Sequence, residues 1–174
     1  KLNIEQYFSK DKDAPISVNR NAEIKNSKGE IIFEQKNVYF PASWSDTSVN
    51  IVSSKYFTGK QGTDEREYSI NQLIDRVVLA IVNSGISFKY FDEDSGASLY
   101  SELRWLILNQ YFAYNSPVWF NVGLEQKPQC SACFILSVDD TMESILDWYK
   151  TEGMIFKGGS GAGVNLSNIR SSKE

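Results

Sequence analysis

The stretch QCSACFILSVDDTMESILDWYKTEGMIFKGGSGAGVNLSNIR, Gln129 to Arg170, decides how the chain folds. It holds a Cys130-Ser131-Ala132-Cys133 turn, an apolar run Phe134-Ile135-Leu136-Ser137-Val138, an acidic helix start, a glycine cluster Gly158 to Gly163 and a closing arginine. The apolar run has the length and composition of a buried strand, with Cys133 at its entry. Asp140 is placed to cap the following helix, Glu143 to complete a capping box, Ile145, Leu146 and Tyr149 to face inward, and Gly153 to end it. Val164-Asn165-Leu166 then reads as the next strand. Strand, helix and strand in that order predict a crossover unit of an α/β fold.

Upstream of this stretch the chain reads as scaffold. Ser69-x-x-Gln72 is a capping-box pattern, and Ile70, Leu73, Ile74, Val77, Val78 and Ile81 recur at helical spacing, with Gly85 available as a left-handed C-cap. After the acidic turn Asp92 to Gly96, a second helix is expected from about Ser98 to Tyr111, with Leu99, Leu103, Leu106 and Ile107 as its core stripe. Tyr114-Asn115-Ser116-Pro117 is expected to stop it. Nearer the start, Lys28-Gly29-Glu30 turns a short hairpin that ends at Pro41. Thr58 to Thr63 reads as a flexible loop, either a connector or a lid.

Composition narrows the function classes. The chain has 174 residues, is 41% hydrophobic and carries a formal charge of -4, which suits a globular protein and argues against nonspecific nucleic-acid binding. No apolar run approaches the roughly 20 residues of a membrane helix, so a cytoplasmic protein is expected. There is no histidine, so no base or metal ligand in this chain is an imidazole.

Three features carry chemistry, and each has a plainer reading beside it. Cys130-x-x-Cys133 is half a zinc site, a dithiol, or one functional thiol with a bystander; without a second pair the redox thiol is favoured and no metal site is expected. The glycine cluster either turns the chain tightly or lets a ligand approach the backbone. It is not the G-x-G-x-x-G of a dinucleotide fold, which would open a helix. Arg170 is either a solvated surface arginine or a phosphate ligand.

Four ordered blocks, Asn115 to Gly123, Pro128 to Ile135, Asp140 to Ile145 and Lys157 to Ser167, resemble the N-terminal part of class II, adenosylcobalamin-dependent ribonucleotide reductase. The resemblance runs from about Val38 to Glu174. It implies a helical N-terminal region followed by the opening strands of a ten-stranded α/β barrel, incomplete in this chain. The expected division is 1–40 as an N-terminal extension with the hairpin, 41–114 as a mostly helical region and 115–174 as the start of the catalytic barrel.

The resemblance also implies roles. Cys133 would be the first of two cysteines that give electrons to a ribonucleotide and become a disulfide, with Cys130 the bystander. Ser116, Ala132, Cys133 and Gly161 would hold the substrate. Asp140, Thr141 and Met142 would read a deoxynucleoside triphosphate effector, and Arg170 would grip its phosphates. The thiyl-radical cysteine and most of the adenosylcobalamin surface would lie in a downstream portion of the same enzyme, with an external dithiol as reductant and a homodimer as the assembly. A stand-alone nucleotide-binding regulatory module and a small dithiol oxidoreductase are the competing readings.

Overall fold

The computed structural model describes residues 1–174, which form two compact units, Lys1–Ala113 and Tyr114–Glu174. In the first, an antiparallel hairpin of β1 (Ser17–Lys25) and β2 (Ile31–Pro41) is followed by helices α1 (Asp46–Lys55), α2 (Ile70–Ser87) and α3 (Glu93–Leu108). In the second, a short α4 (Ser116–Asn121) precedes β3 (Cys133–Ser137), α5 (Met142–Lys157) and β4 (Gly161–Asn165).

The hairpin turns because the Asn26 carboxamide accepts from the Lys28 and Glu30 amides, and Gly29 takes the left-handed conformation at φ 83°. Its register slips between Arg20 and Ala22, where an extra residue on β2 is left unpaired. Val38 and Phe40 point into the core while Tyr39 between them stays exposed.

α1 is a helix with only weak local signals in the sequence. Its sequence is rich in serine and β-branched residues and only weakly amphipathic. Ser45 nevertheless caps it by accepting from the Ser48 amide at 3.1 Å, and Val49 is buried.

α2 has the expected capping box. The Ser69 hydroxyl accepts at the helix start while the Gln72 carboxamide accepts from the Ser69 amide at 3.0 Å. Ile70, Leu73, Ile74, Val77 and Val78 are at most 2% exposed, each burial worth about 1.5–3 kcal/mol before entropy is counted. Gly85 does not end the helix: it lies inside it, packed so closely under Phe91 that a Cβ would meet the ring at 2.2 Å. Lys89 supplies the left-handed residue instead, at φ 59°.

The second predicted helix begins earlier than its periodicity indicates. Asp92 caps α3 through the Ser95 amide at 3.0 Å, so Glu93 and Asp94 are its first turn, where acidic side chains meet the positive helix end. Ile107 and Leu108 are buried and Leu99, Leu103 and Leu106 are half-buried. The indole Trp44 Nε1 donates to Leu108 O at 2.9 Å.

The loop after α1 is pinned. The Arg66 guanidinium donates to the carbonyls of Phe57 and Ser53, each at 2.6 Å. Glu67 pairs with Arg76 at 2.7 Å and accepts from the Thr58 amide at 2.9 Å. A lid would need those contacts to break, so the connector reading is the one the geometry favours.

In the second unit Pro117 opens a helix rather than closing one. The Asn115 side chain caps α4 through the Val118 amide, and proline in the first turn has no amide proton to leave unpaired. β3 and β4 pair in parallel with α5 as the crossover, as the strand-helix-strand order predicts.

Three expectations for this unit fail. β3 is not buried: Ile135 is 95% exposed, because the face it shares with Cys133 is bare. Thr141, not Asp140, caps α5, accepting from Ser144 N at 3.2 Å. The helix passes through Gly153 to Lys157, with Leu146 and Tyr149 exposed and Ile155 its buried residue.

Candidate functional site

In a parallel pair, residues opposite one another point to the same face. Cys133 pairs with Gly161, Ile135 with Gly163 and Ser137 with Asn165, and all six are exposed. Phe134, Leu136, Ala162 and Val164 take the other face and are half-buried. Both cysteines are free thiols and solvent-exposed. The Cys133 thiol therefore stands on an open face whose neighbouring strand presents two glycines.

The glycine cluster divides into structural and open members. A Cβ at Gly158 would meet the Gln129 carboxamide at 2.4 Å, and Gly159 has φ 81°, so both positions demand glycine. At Gly161 the nearest atom to a Cβ would be Ala132 O at 3.8 Å, and at Gly163 nothing lies within 4 Å. Neither of these two has a left-handed φ. Packing within this chain leaves the last two glycines unexplained, and open space beside a thiol is what they provide.

The loop carrying Cys130 and Cys133 is held by polar residues that sequence reasoning missed. Asn121 Nδ2 donates to Gln129 O at 3.0 Å and to Gly158 O at 3.1 Å. Gln129 Nε2 donates to Ile155 O at 3.1 Å, and Ser160, itself buried, donates through Oγ to Ser131 O. No spacing rule marks these residues. Their role appears only once the ends of α4 and α5 are brought to the cysteine loop.

The remaining candidate substrate residues are placed as follows. Ser116 is half-buried at the start of α4, the helix whose far end Asn121 ties to the cysteine loop. The Gly161 amide already donates to Ala132 O at 2.8 Å, so this amide and carbonyl satisfy one another and what Gly161 offers is its missing side chain. Gly158 and Gly159 cap the C-terminal end of α5, where the helix dipole repels anions. They are poorly suited to cradle a phosphate.

The candidate effector residues lie at the opposite end of the strands. Asp140 and Thr141 follow the C-terminal end of β3, and Arg170 lies beyond the end of β4. Roughly 13 Å of strand, at about 3.3 Å per residue, separates Cys133 from Ser137. Arg170 Nε donates to Asp140 Oδ2 at 2.5 Å, and the Arg170 side chain is 61% exposed. Met142 is exposed in the first turn of α5, whose positive end faces the same region. An open cleft of about 510 Å³ runs along β3 and α5, lined by residues including Ser137, Thr141, Ser144 and Trp148.

No group of three or more His, Cys, Asp or Glu side chains is arranged to hold a metal ion. No helix is long and apolar enough to cross a membrane.

A parallel β-α-β unit with an exposed thiol at the entry of its first strand and an arginine beyond the end of its second defines a protein of the α/β class. The family model described as "Ribonucleotide reductase, barrel domain" matches residues 131–174, and that described as "Class II vitamin B12-dependent ribonucleotide reductase" matches residues 18–110. The chain belongs to the class II vitamin B12-dependent ribonucleotide reductase family. The match reaches back to residue 18, so the hairpin is part of the family's N-terminal domain and the likeness does not begin at Val38.

A vitamin B12-dependent ribonucleotide reductase of Streptomyces avermitilis is 60% identical over 147 residues, covering 84% of this chain and 15% of the relative. Its counterpart in Rhodopirellula baltica is 44% identical over 185 residues, covering 89% of this chain and 18% of the relative. A ribonucleoside-diphosphate reductase large subunit of African swine fever virus is 45% identical over 65 residues, 37% of this chain and 8% of the relative. The chain thus spans under a fifth of the length of these relatives.

Proposed function

We propose that this chain serves a ribonucleotide reductase, an oxidoreductase that converts ribonucleotides to deoxyribonucleotides for DNA synthesis, with residues 115–174 opening a ten-stranded barrel. The observation that carries the reading is the Cys133–Gly161 pairing: an exposed thiol beside glycines that internal packing does not require. Cys133 and a second cysteine from elsewhere in the enzyme supply two electrons and two protons. The substrate loses its 2′-hydroxyl as water, the two sulfurs join as a disulfide, and an external dithiol reduces that disulfide by exchange.

The positioning work falls to named residues. Asn121, Gln129 and Ser160 fix the loop that carries Cys133. Ser116, Ala132, Cys133 and Gly161 line the substrate side, and bare Gly161 and Gly163 admit the ribose to the strand face. At the other end, Arg170 holds the phosphates of a deoxynucleoside triphosphate effector, with Asp140 orienting its guanidinium, while Thr141 and Met142 border the base.

Adenosylcobalamin would supply the radical that starts the reaction. The resemblance places most of its binding surface in a downstream portion of the enzyme.

The test is to assay an enzyme carrying this chain with adenosylcobalamin, a dithiol and ribonucleoside di- and triphosphates. Deoxyribonucleotide formation that depends on Cys133 is the expected result. Cys130-dependent disulfide exchange with no ribonucleotide turnover would favour a dithiol oxidoreductase instead. The setting expected is the cytoplasm, and the assembly a homodimer.

A further inference from the structure

We propose that the pocket between the N-terminal segment and α3 binds a small phosphate-type dianion. The segment from Lys1 to Ala14 lies along α3, held by Leu2 N to Tyr90 O at 2.7 Å and by Glu102, which accepts from the Ser9 amide at 2.7 Å and the Ser9 hydroxyl at 2.6 Å. Between them is a pocket of about 260 Å³ lined by Gln6, Ser9, Lys12, Ser101, Arg104 and Trp105, among others. That is below the size of a drug-like site and suits a compact group.

Two cations converge there without an acidic partner. Arg104 spends one nitrogen on the neutral Asn71 carboxamide at 2.9 Å, its Nε is buried and unpartnered, and none of the five ion pairs in the chain includes it. Lys12 stands 4.6 Å from the centre of the Trp105 ring and likewise has no carboxylate.

Of the acidic groups near the pocket, Asp11 and Asp13 flank Lys12 on the exposed segment, whereas Glu102 and Asp75 on the helices are already satisfied. Glu102 is occupied by the N-terminal segment, and Asp75 accepts the Tyr100 hydroxyl at 2.7 Å. The Ser9 and Tyr100 hydroxyls have therefore given their protons away, which leaves Arg104, Lys12, Ser101 and Gln6 as donors. A planar fork plus a point charge is a donor set for a dianionic oxyanion. A buried guanidinium nitrogen without an acceptor is the unmet demand that such a ligand's binding would relieve by drawing the side chain round. Residues 1–17 lie outside the family match, so this site does not rest on the redox reading.

Inorganic phosphate titrated at low ionic strength into the full chain, followed by the Trp105 indole N–H resonance, tests the proposal. Saturable shifts of Trp105 and Ser101 are expected, weakened about tenfold in Lys12→Gln and in Arg104→Gln. Lys12 is exposed, so that variant decides the matter even where Arg104→Gln fails to fold. No saturable shift, or equal affinity in wild type and Lys12→Gln, overturns the site. Malonate binding as tightly as inorganic phosphate overturns its assignment to phosphate.

Discussion

Arg170 and Asp140 are joined Nε to Oδ2 at 2.5 Å, which ties the segment after β4 to the segment after β3 at one end of the parallel pair. Arg170 remains 61% exposed and Asp140 28%, so this is a solvated pair that contributes little to stability and leaves guanidinium edge free. Arg170→Ala is expected to weaken effector triphosphate binding about 10- to 100-fold, the scale of a charge-assisted contact, with basal reduction retained. Calorimetry on an enzyme carrying this chain measures it, and an unchanged affinity removes Arg170 from the site.

The cap of α5 separates the roles of neighbouring residues. Thr141→Ala should cost about 1 kcal/mol of stability because the Ser144 amide loses its acceptor, whereas Asp140→Ala should leave the helix unaffected. Chemical denaturation of the two variants compares them directly. Equal losses would mean that the Asp140–Arg170 pair is structural.

Cys133→Ser is expected to abolish multiple turnover while Cys130→Ser largely preserves it, since Cys133 alone stands on the bare strand face opposite Gly161. Cys130 lies in the preceding loop with its sulfur near Pro128 O. Steady-state assays with an external dithiol, supplemented by a single-turnover measurement, distinguish lost re-reduction from lost binding. A dead Cys130 variant beside an active Cys133 variant would reverse the assignment.

The elements that were legible in the sequence are those whose local signals agree. Ser69 and Gln72 announce α2, and Phe134 to Val138 followed by a helix and glycines announces the crossover. The failures have local causes too. α1 has a serine cap but no strong apolar stripe, and Asp140 and Thr141 are adjacent residues that are equally able to cap. Ile135 reads as core because composition cannot tell which face has a partner. In the site, Cys133 and the glycines were visible, but Asn121, Gln129 and Ser160 were not, since their bonds span up to 37 residues.

Gly158→Ala and Gly161→Ala should behave oppositely. The first forces a methyl into the Gln129 carboxamide and loosens the cysteine loop, so thermal stability should drop. The second has 3.8 Å of room and is expected to keep the fold while crowding the substrate, raising KM or lowering kcat. Melting curves and kinetics together decide it; a strongly destabilised Gly161→Ala would make this glycine structural.

Glu102 ties the N-terminal segment to α3 in a pH-dependent way. Burial raises its pKa, but the Ser9 hydroxyl and the amides of Phe8, Ser9 and Tyr7 outweigh it and hold the carboxyl down at about 2 from an ordinary 4.5. A depressed pKa means stability present in full above pH 4.5 and lost as pH falls from there through 2. Amide exchange at Phe8 and Ser9 should accelerate across that window, and Glu102→Gln should show the accelerated rate already at neutral pH. Rates that do not respond to either change would mean that other contacts hold the segment.

The two strands of the second unit should be its least protected regular structure. β3 has one partner, β4, and the face bearing Cys133 and Ile135 is open to water, so little apolar burial opposes fraying of the ladder. α2, by contrast, buries seven residues including Gly85 and carries a complete capping box. Hydrogen exchange on this chain is expected to show strong protection from Ile74 to Val82, where each amide bonds within the helix and the apolar face is covered, and weak protection from Phe134 to Val138. Covering the bare face, by adding the remainder of a homologous barrel in trans, should raise protection in β3 and leave α2 unchanged. Strong protection of Phe134 to Val138 with nothing added would show that the β3–α5–β4 unit is stable by itself, and that its exposed face is a functional surface independent of further strands.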